Sequence, residues 1–332
     1  MLPTVDVHTH ILPTSYLKAL DDLDIQTEKE DGFPEPRWSE EDHLAFMDAT
    51  DQSFQVVSIS SPHPHRGDDG LALAQARLIN DETAALCRRH PNKLGFCTYL
   101  PLPNVVGSID ETVRGYDELG ALGVKVPSNA NGIYLGTPLL APLYEELDQR
   151  SAVVIIHPTA PAATPRDTFT AELKPMYEFL ADTTRSVIDL IMRGVLERYP
   201  HIRWVVPHCG SFLPEVAHRM VGISQILVPL QRMEKVDVMD CVRRLYFDVA
   251  GTAQPVMLDA LLKVADPTHI LYGSDFPYTP VPMIARAKEA LEHDPLLAGH
   301  VEDVFSQNAE RLFGLKEGWT RVAEPYSLVS GS

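Results

Sequence analysis

The stretch Val5-Asp6-Val7-His8-Thr9-His10 is the first of eight short runs rich in β-branched and apolar residues, and longer segments with helical periodicity separate these runs. This alternation is typical of βα units repeated around a parallel sheet. Eight is also the number of strands that closes a (β/α)8 barrel. The sequence therefore predicts an α/β fold of the TIM-barrel type, with strands over residues 5–10, 56–60, 94–99, 124–126, 153–157, 204–208, 245–249 and 270–273.

The composition favours one large globular domain. The chain has 332 residues, of which 45% are hydrophobic, and no tract changes composition sharply enough to mark a linker. Because α/β barrels of this length fold as one unit, we expect residues 1–332 to form a single domain. Two connections, 11–40 and 158–175, are longer than a barrel needs, and each follows a run that ends in histidine. We expect both to lie over the C-terminal face, where barrel enzymes carry their sites.

The charge and the cysteines narrow the possible partners and location. Asp and Glu number 46 against 28 Lys and Arg, which gives a formal charge of −18 and argues against nucleic acid or an anionic membrane as a partner. The N-terminus lacks the pattern of a signal peptide, and no apolar stretch is long enough to span a membrane. The four cysteines lack the spacing of a disulfide framework. We therefore expect a cytoplasmic protein with reduced thiols.

The first run contains a possible half-site for a metal ion. Side chains alternate along a strand, so His8 and His10 project to the same side and can both face the barrel axis. Two neutral imidazoles supply half of a zinc-type coordination sphere. On its own this pair also fits two polar residues at the end of a strand.

Further polar residues follow other predicted strands. His157 ends the fifth run, His208 ends the sixth and Asp275 follows the eighth, each after a buried apolar stretch. Burying such a group without a partner costs about 2–7 kcal/mol, so a structural role is hard to supply for all of them. Because the carboxyl ends of barrel strands meet at one face, we expect a single polar site there.

These motifs together resemble a known family. His8-Thr9-His10, His157-Pro158, His208-Cys209-Gly210 and Gly273-Ser274-Asp275-Phe276-Pro277 are similar to the amidohydrolase superfamily, in the branch that includes aminocarboxymuconate semialdehyde decarboxylase and hydroxybenzoate decarboxylases. The resemblance runs from Val5 to about Leu315. Segments 36–39, 58–62 and 246–251 resemble the 6-methylsalicylate decarboxylase group more closely.

The resemblance implies a set of metal ligands. Carried over position by position, it makes His8, His10, His157 and Asp275 the ligands of one divalent ion per chain, zinc or alternatively manganese. It leaves His208 as an acid/base group and implies a homodimer. Binuclear members use a carboxylated lysine on the fourth strand, and Lys125 occupies that strand here. The alternative for Lys125 is an ordinary strand lysine that pairs with a carboxylate.

One position departs from the semialdehyde decarboxylases. They carry an arginine for the substrate carboxylate shortly before a Met-Asp pair, and this chain has His43 there, before Met47-Asp48. A dicarboxylate substrate held by that arginine is therefore disfavoured. Arg37 and Arg166 lie on the two long connections and are the candidates to replace it.

The resemblance favours a decarboxylase of a small hydroxylated aromatic acid that releases CO2 and a phenol. We expect Asp275 to protonate the ring carbon, with His208 orienting it or relaying the proton, although residue types alone do not separate these roles. Trp38, Phe276 and Tyr278 are candidate aromatic walls for a planar substrate. One alternative is a zinc-dependent hydrolase of a lactone, ester or amide with the same ligands. A second alternative is a non-catalytic barrel, which we disfavour because no expected ligand is missing.

Overall fold

Eight parallel strands form a barrel in the computed structural model, which describes residues 3–165, 167–251 and 255–315. The strand order is β1-β2-β3-β4-β7-β8-β9-β10, and every neighbouring pair is parallel. The first and last strands also meet, because the Val7 N–H donates to Tyr272 O (3.0 Å) and the Asp275 N–H donates to His8 O (2.8 Å). The predicted α/β barrel is confirmed. The barrel strands are β1 Val5–His10, β2 Phe54–Ser58, β3 Leu94–Tyr99, β4 Gly123–Pro127, β7 Val153–His157, β8 Arg203–Val206, β9 Tyr246–Asp248 and β10 Ile270–Leu271.

Strand boundaries differ from the prediction by one or two residues at several ends. Strand β2 begins and ends two residues earlier, and β8 stops at Val206 because residues 208–211 adopt left-handed backbone angles. A short antiparallel pair, β5 Asn129–Ala130 and β6 Ile133–Tyr134, follows β4 and was not predicted. Its two-residue strands are too short to leave a period in the sequence.

Helices surround the barrel and begin where the sequence offers capping side chains. Ser39, Asp68 and Asn104 each accept a backbone N–H of the first turn, which satisfies a donor that the helix leaves free. The α-helices are α1 Thr14–Asp22, α2 Thr27–Asp31, α3 Glu40–Ala49, α4 Asp69–Arg89, α5 Val105–Arg114, α6 Ala141–Gln149, α7 Phe169–Glu172, α8 Glu178–Met192, α9 Val195–Arg198, α10 Leu213–Leu227, α11 Val238–Arg244, α12 Val256–Leu262, α13 Val281–Glu292 and α14 Asn308–Phe313.

A bulge in β1 lets this strand direct apolar side chains into the barrel at one end and histidine side chains into it at the other. Val5 pairs with Phe54 and His10 pairs with Ser58, so β1 advances five residues while β2 advances four. The extra residue reverses the alternation of side chains along the strand. Before the bulge, the side chain of Val5 faces the apolar interior. After it, the side chains of His8 and His10 face inward instead.

The lower part of the barrel interior is apolar and closed. Buried side chains from six barrel strands pack there with Ala309, Leu312 and Phe313 of α14. Arg203 on β8 donates to Leu312 O and ties this helix to the strand ends. The apolar residues that the barrel strands contribute to this cluster are Val5, Val7, Phe54, Val56, Cys97, Val153, Ile155, Val205 and Leu271.

Candidate active site

The upper end of the barrel brings together three histidines from two strands. His8 and His10 come from β1 and His157 from the end of β7, and the metal-binding atoms of these side chains lie within 4.8 Å of one another. The Nε2 atoms of His10 and His157 are 3.1 Å apart. All three side chains are almost fully buried. The strand-end histidines that the sequence analysis selected are therefore neighbours in space.

Each imidazole is oriented by an acceptor at its Nδ1 atom. His8 Nδ1 lies 2.9 Å from Asp248 Oδ2, and His157 Nδ1 lies 2.8 Å from Pro158 O. His10 Nδ1 faces Ser58 O at 3.4 Å. An N–H at Nδ1 leaves the Nε2 lone pair free, so all three lone pairs point toward one centre.

This arrangement fits a metal ion. The buried His8 Nε2 has no hydrogen-bond partner, and the facing Nε2 lone pairs of His10 and His157 repel each other unless a cation lies between them. Three imidazole nitrogens with a carboxylate are a ligand set for zinc or another divalent ion. Asp275 Oδ1 supplies that carboxylate, 3.5 Å from His8 Nε2 and 3.3 Å from His10 Nε2.

The protonation states of His10 and His157 support the same conclusion. Burial lowers the pKa of His10 to about 4 and lowers the pKa of His157 well below its ordinary value, so both are neutral ligands near pH 7. Burial would also lower the pKa of His8, but the adjoining Asp248 carboxylate raises it to about 9. Burial works against ionisation of Asp275, yet His10 and His208 hold its pKa well below the ordinary range. The Asp248 carboxylate thus makes His8 the most basic of the three histidines.

Asp275 and His208 connect the buried histidines to the solvent side. Their side chains are 22% and 16% exposed, and His208 Nε2 lies 3.7 Å from Asp275 Oδ2. Both residues have a left-handed backbone, with φ of 61° and 55°. Non-glycine residues pay about 1–3 kcal/mol for such strain, which is most often retained at functional sites. These two side chains are placed to reach a bound molecule.

A cavity of about 400 Å³ opens above this cluster. His157, His208 and Asp275 line it, together with the exposed side chains of Phe33 on the first long connection and Met176 just after the second. The volume falls in the range of small-molecule sites. Other lining residues are Thr27, Asp31, Ser60, Ser61, Pro158, Pro175, Phe179, Leu180, Ala250, Gly251, Met257, Tyr278 and Thr279.

The three predicted aromatic walls have different positions. Tyr278 lines the cavity, and its ring centroid is 5.7 Å from that of His10. Phe276 stacks instead on Phe46 at 3.9 Å, and Trp38 donates from Nε1 to His43 Nδ1 at 3.0 Å. The structure therefore brings Tyr278 to the site and places Phe276 and Trp38 in packing contacts behind the cavity wall.

His43, at the position where the semialdehyde decarboxylases carry arginine, is buried in that packing. Its Nε2 pairs with Gln55 Oε1, so both ring nitrogens are occupied. Arg37 is exposed and does not line the cavity, and Arg166 lies outside the described residues. Neither His43 nor Arg37 supplies a cation to the cavity.

Lys125 is buried beneath the site on β4. Its Nζ donates to Ser60 O at 3.1 Å, and burial lowers its pKa to about 7 against the opposing effect of Asp31. This environment gives the lysine a hydrogen-bond partner of its own.

Two supporting carboxylates were not selected from the sequence. Asp248 accepts from His8 and also from the backbone N–H of His208 (3.0 Å), so it positions both histidines. Asp6 Oδ1 accepts the N–H groups of His8 and Ser274, both at 3.1 Å, and thereby joins the β1 bulge to the segment that carries Asp275. The signal for Asp248 was available, since it also ends a barrel strand. The role of Asp6 could not be predicted from the sequence, because it depends on the bulge in β1.

The fold and the site define a metal-binding barrel, and comparisons with known proteins agree. The Amidohydrolase family matches residues 5–315, so this chain belongs to that family. The 6-methylsalicylic acid decarboxylase acuB of Aspergillus aculeatus is 32% identical, over 93% of this chain and 95% of its own length. The 6-methylsalicylic acid decarboxylase of Penicillium expansum is 30% identical, over 95% of this chain and 97% of its own.

Solved structures show the same architecture. The crystal structure of an amidohydrolase II superposes with a TM-score of 0.87 at 37% identity, covering 94% of this chain and 99% of that one. The 5-carboxyvanillate decarboxylase of Novosphingobium aromaticivorans, solved with bound manganese, has a TM-score of 0.85 at 22% identity, with 95% and 97% covered. The second likeness concerns the fold alone.

Proposed function

We propose that this protein is a metal-dependent, non-oxidative decarboxylase of a small hydroxylated aromatic acid such as 6-methylsalicylate, and that it releases CO2 and a phenol. The observation that carries the proposal is the set of inward-facing imidazole nitrogens and the Asp275 carboxylate at the base of a cavity of about 400 Å³. The similarity to two 6-methylsalicylic acid decarboxylases over nearly the whole chain supports it. The chain is accordingly a carboxy-lyase of the amidohydrolase superfamily.

His8, His10, His157 and Asp275 would hold the metal ion. A bound divalent cation supplies Lewis-acid stabilisation of negative charge and a fixed geometry for the carboxylate and the neighbouring phenol oxygen. The family resemblance favours zinc. The alternative, manganese, is supported by the structures of a 5-carboxyvanillate decarboxylase and a dihydroxybenzoic acid decarboxylase, which were solved with bound manganese. We propose one ion per chain.

The reaction needs a proton at the ring carbon that bears the carboxylate. As that carbon gains hydrogen, its bond to the carboxylate breaks and the bond electrons return to the ring. Asp275, at the base of the cavity, would take the proton of the substrate phenol and deliver it to this carbon. His208 would orient Asp275 and resupply the proton to the product phenolate, because its Nε2 faces Asp275 Oδ2 and its side chain is partly exposed. Tyr278 would contact the flat ring.

Several finer features are proposed with this function. We expect residues 1–332 to act as one domain, with the connections 11–40 and 158–175 arranged over the site; Thr27, Phe33 and Pro158 line the cavity from these segments. Within the described ranges, no helix has the length and apolar character needed to cross a membrane. The four cysteines are free and buried, which supports a cytoplasmic location.

A homodimer is proposed on the family resemblance. In α8, the apolar side chains of Val187, Leu190 and Ile191 pack into the protein's own core. Light scattering on purified protein tests the assembly.

The test of function is a substrate panel with product identification. Metal-loaded protein is incubated with salicylate, 6-methylsalicylate and dihydroxybenzoates, and in parallel with simple lactones, esters and amides. We expect CO2 and the corresponding phenol from at least one aromatic acid. Hydrolysis of the second set without any release of CO2 would instead establish the hydrolase alternative.

A further inference from the structure

A second carboxyl group lines the cavity away from the histidine cluster. Asp31 is the last residue of α2 and is 4% exposed, and its side chain belongs to the cavity wall. Of the carboxyl side chains that the structure describes, Asp31 and Asp275 alone line this cavity. Asp31 has no place in the proton transfer described above.

The hydrogen-bonding capacity of Asp31 is incompletely used. Its Oδ1 atom is buried and lacks a hydrogen bond of good geometry, although the nearby Ser61 hydroxyl acts to lower the pKa of this carboxyl group. The two lysines that act on it electrostatically are engaged elsewhere, because Lys125 Nζ donates to Ser60 O at 3.1 Å and Lys174 Nζ donates to Lys29 O at 3.5 Å. A buried acceptor without a donor costs about 1–3 kcal/mol. A ligand group that donates a hydrogen bond to this oxygen would remove that cost.

The backbone holds Asp31 in this position. Gly32 ends α2 with φ of 77°, and a Cβ atom at this glycine would lie 1.7 Å from Glu172 O. The end of α2 is thus in close contact with the second long connection. Arg66 also pairs with Glu30 at 2.9 Å on the other side of the helix end. The contact between the two long connections fixes the Asp31 side chain, and a side chain held in this way can discriminate between ligands.

The surroundings indicate a hydroxyl donor on the ligand. Burial raises the pKa of Asp31 to about 7, against the opposing effects of the Ser61 hydroxyl and Lys174. An incoming hydroxyl group would satisfy the carboxylate without adding charge. An aromatic acid already offers its carboxylate and one phenol oxygen to the histidine end of the cavity. A further hydroxyl on the ring is then the donor available to Asp31.

Resting on the proposed decarboxylase function, we propose that Asp31 is a specificity-determining residue that accepts a hydrogen bond from a second ring hydroxyl of the substrate. Within the proposed class of hydroxylated aromatic acids, a dihydroxylated acid is accordingly preferred over a monohydroxylated one such as salicylate or 6-methylsalicylate. A site with a buried acceptor discriminates against the analogue that lacks the matching hydroxyl, because that analogue leaves the acceptor unpaired.

The first test compares substrates that differ by one hydroxyl. The specificity constant kcat/KM is measured for salicylate, for 6-methylsalicylate and for 2,3-, 2,4-, 2,5- and 2,6-dihydroxybenzoate with wild type, Asp31→Ala, Asp31→Asn and the matched control Glu28→Gln, which alters an exposed carboxylate of the same helix. We expect wild type and Glu28→Gln to prefer at least one dihydroxy isomer by roughly 10- to 100-fold over the two monohydroxylated acids. Asp31→Ala should lose that preference, and Asp31→Asn, which keeps the size and a weaker acceptor, should show an intermediate value.

A binding measurement separates this inference from the function itself. Calorimetry on metal-loaded protein compares 2-nitrophenol with its ring-hydroxylated derivatives, which cannot lose CO2. A preference for a hydroxylated derivative that disappears in Asp31→Ala supports the assignment even if no acid is decarboxylated, a result that would overturn the proposed function alone. An unchanged pattern in folded Asp31→Ala or Asp31→Asn overturns the assignment even if decarboxylation is confirmed.

Discussion

The two ends of the barrel are built from the same strands but contain opposite chemistry. At the lower end, Val5, Val153 and Val205 pack with α14 in a closed apolar cluster. At the upper end, β1 and β7 present His8, His10 and His157 around a common centre. Apolar burial at the lower end supplies the free energy of folding, so the upper end can retain polar groups and strained residues that cost stability.

The contrast teaches where substitutions should affect activity and where they should affect stability. Residues at the C-terminal ends of barrel strands are expected to change chemistry, and residues at the N-terminal ends are expected to change the free energy of unfolding. Four substitutions test this division, and they are ordered by their expected effect on activity.

His157→Ala should have the largest effect, because it removes one of three converging nitrogens. We expect loss of bound metal and a decrease in decarboxylation of at least about 1000-fold, since a metal contributes several kcal/mol to such a reaction. Elemental analysis and CO2 release measure both. His201→Ala, which alters an exposed histidine paired with Asp148, is the matched control and should leave both unchanged.

Asp275→Asn should retain the shape of the site but lose the group that delivers the proton. The expected decrease in kcat is roughly 100- to 10,000-fold, the range of general acid catalysis. The control is Asp259→Asn on the exposed face of α12, where the carboxylate pairs with Lys263. Wild-type turnover by Asp275→Asn with metal bound would assign the proton delivery to His208 or to water.

Asp248→Asn should act through His8. An amide cannot match the carboxylate that orients His8, and loss of such a supporting group typically lowers metal affinity by roughly 10- to 100-fold. Excess metal should restore most of the activity. In the metal-free protein, an NMR titration should show the pKa of His8 falling from about 9 toward lower values, because the nearby negative charge is gone. An unchanged titration curve would contradict this role.

Leu312→Ala should show the reverse pattern at the lower end. Its side chain is buried in the apolar cluster, and its truncation should lower the free energy of unfolding by about 2–5 kcal/mol. The kcat of the folded fraction and its metal content should stay near the wild-type values. Urea unfolding measures the first quantity, with Leu78→Ala on the exposed face of α4 as control. A large decrease in kcat would show that the two ends are coupled.

The barrel and the residues of the candidate metal site could be predicted from the sequence because both depend on short-range patterns. Each of His8, His10, His157, His208 and Asp275 is recognisable as a polar residue at the end of an apolar run, and the topology of a barrel brings such ends together. Strand ends were less accurate, since the register and the left-handed residues after Val206 depend on packing.

The sequence was less informative where contacts between distant residues determine the position of a side chain. Asp31 lies in an acidic stretch that is typical of a solvated surface. It is nevertheless buried beside the cavity, where the first long connection contacts the second at Gly32 and Glu172. Phe276 and Trp38 were predicted as walls of the cavity. Phe276 instead stacks on Phe46, and Trp38 donates a hydrogen bond to His43. Loop conformations of this kind are set by contacts between residues far apart in the sequence.

Metal analysis combined with turnover in a single preparation tests the metal-dependent decarboxylation most directly. Purified protein is assayed for bound divalent ions and for CO2 release from 6-methylsalicylate and the dihydroxybenzoates, before chelation, after chelation and after addition of zinc or manganese. We expect about one ion per chain, loss of CO2 release on chelation and recovery on reconstitution. Decarboxylation that persists in fully metal-free protein, or two ions per chain with no decarboxylation, would contradict this expectation.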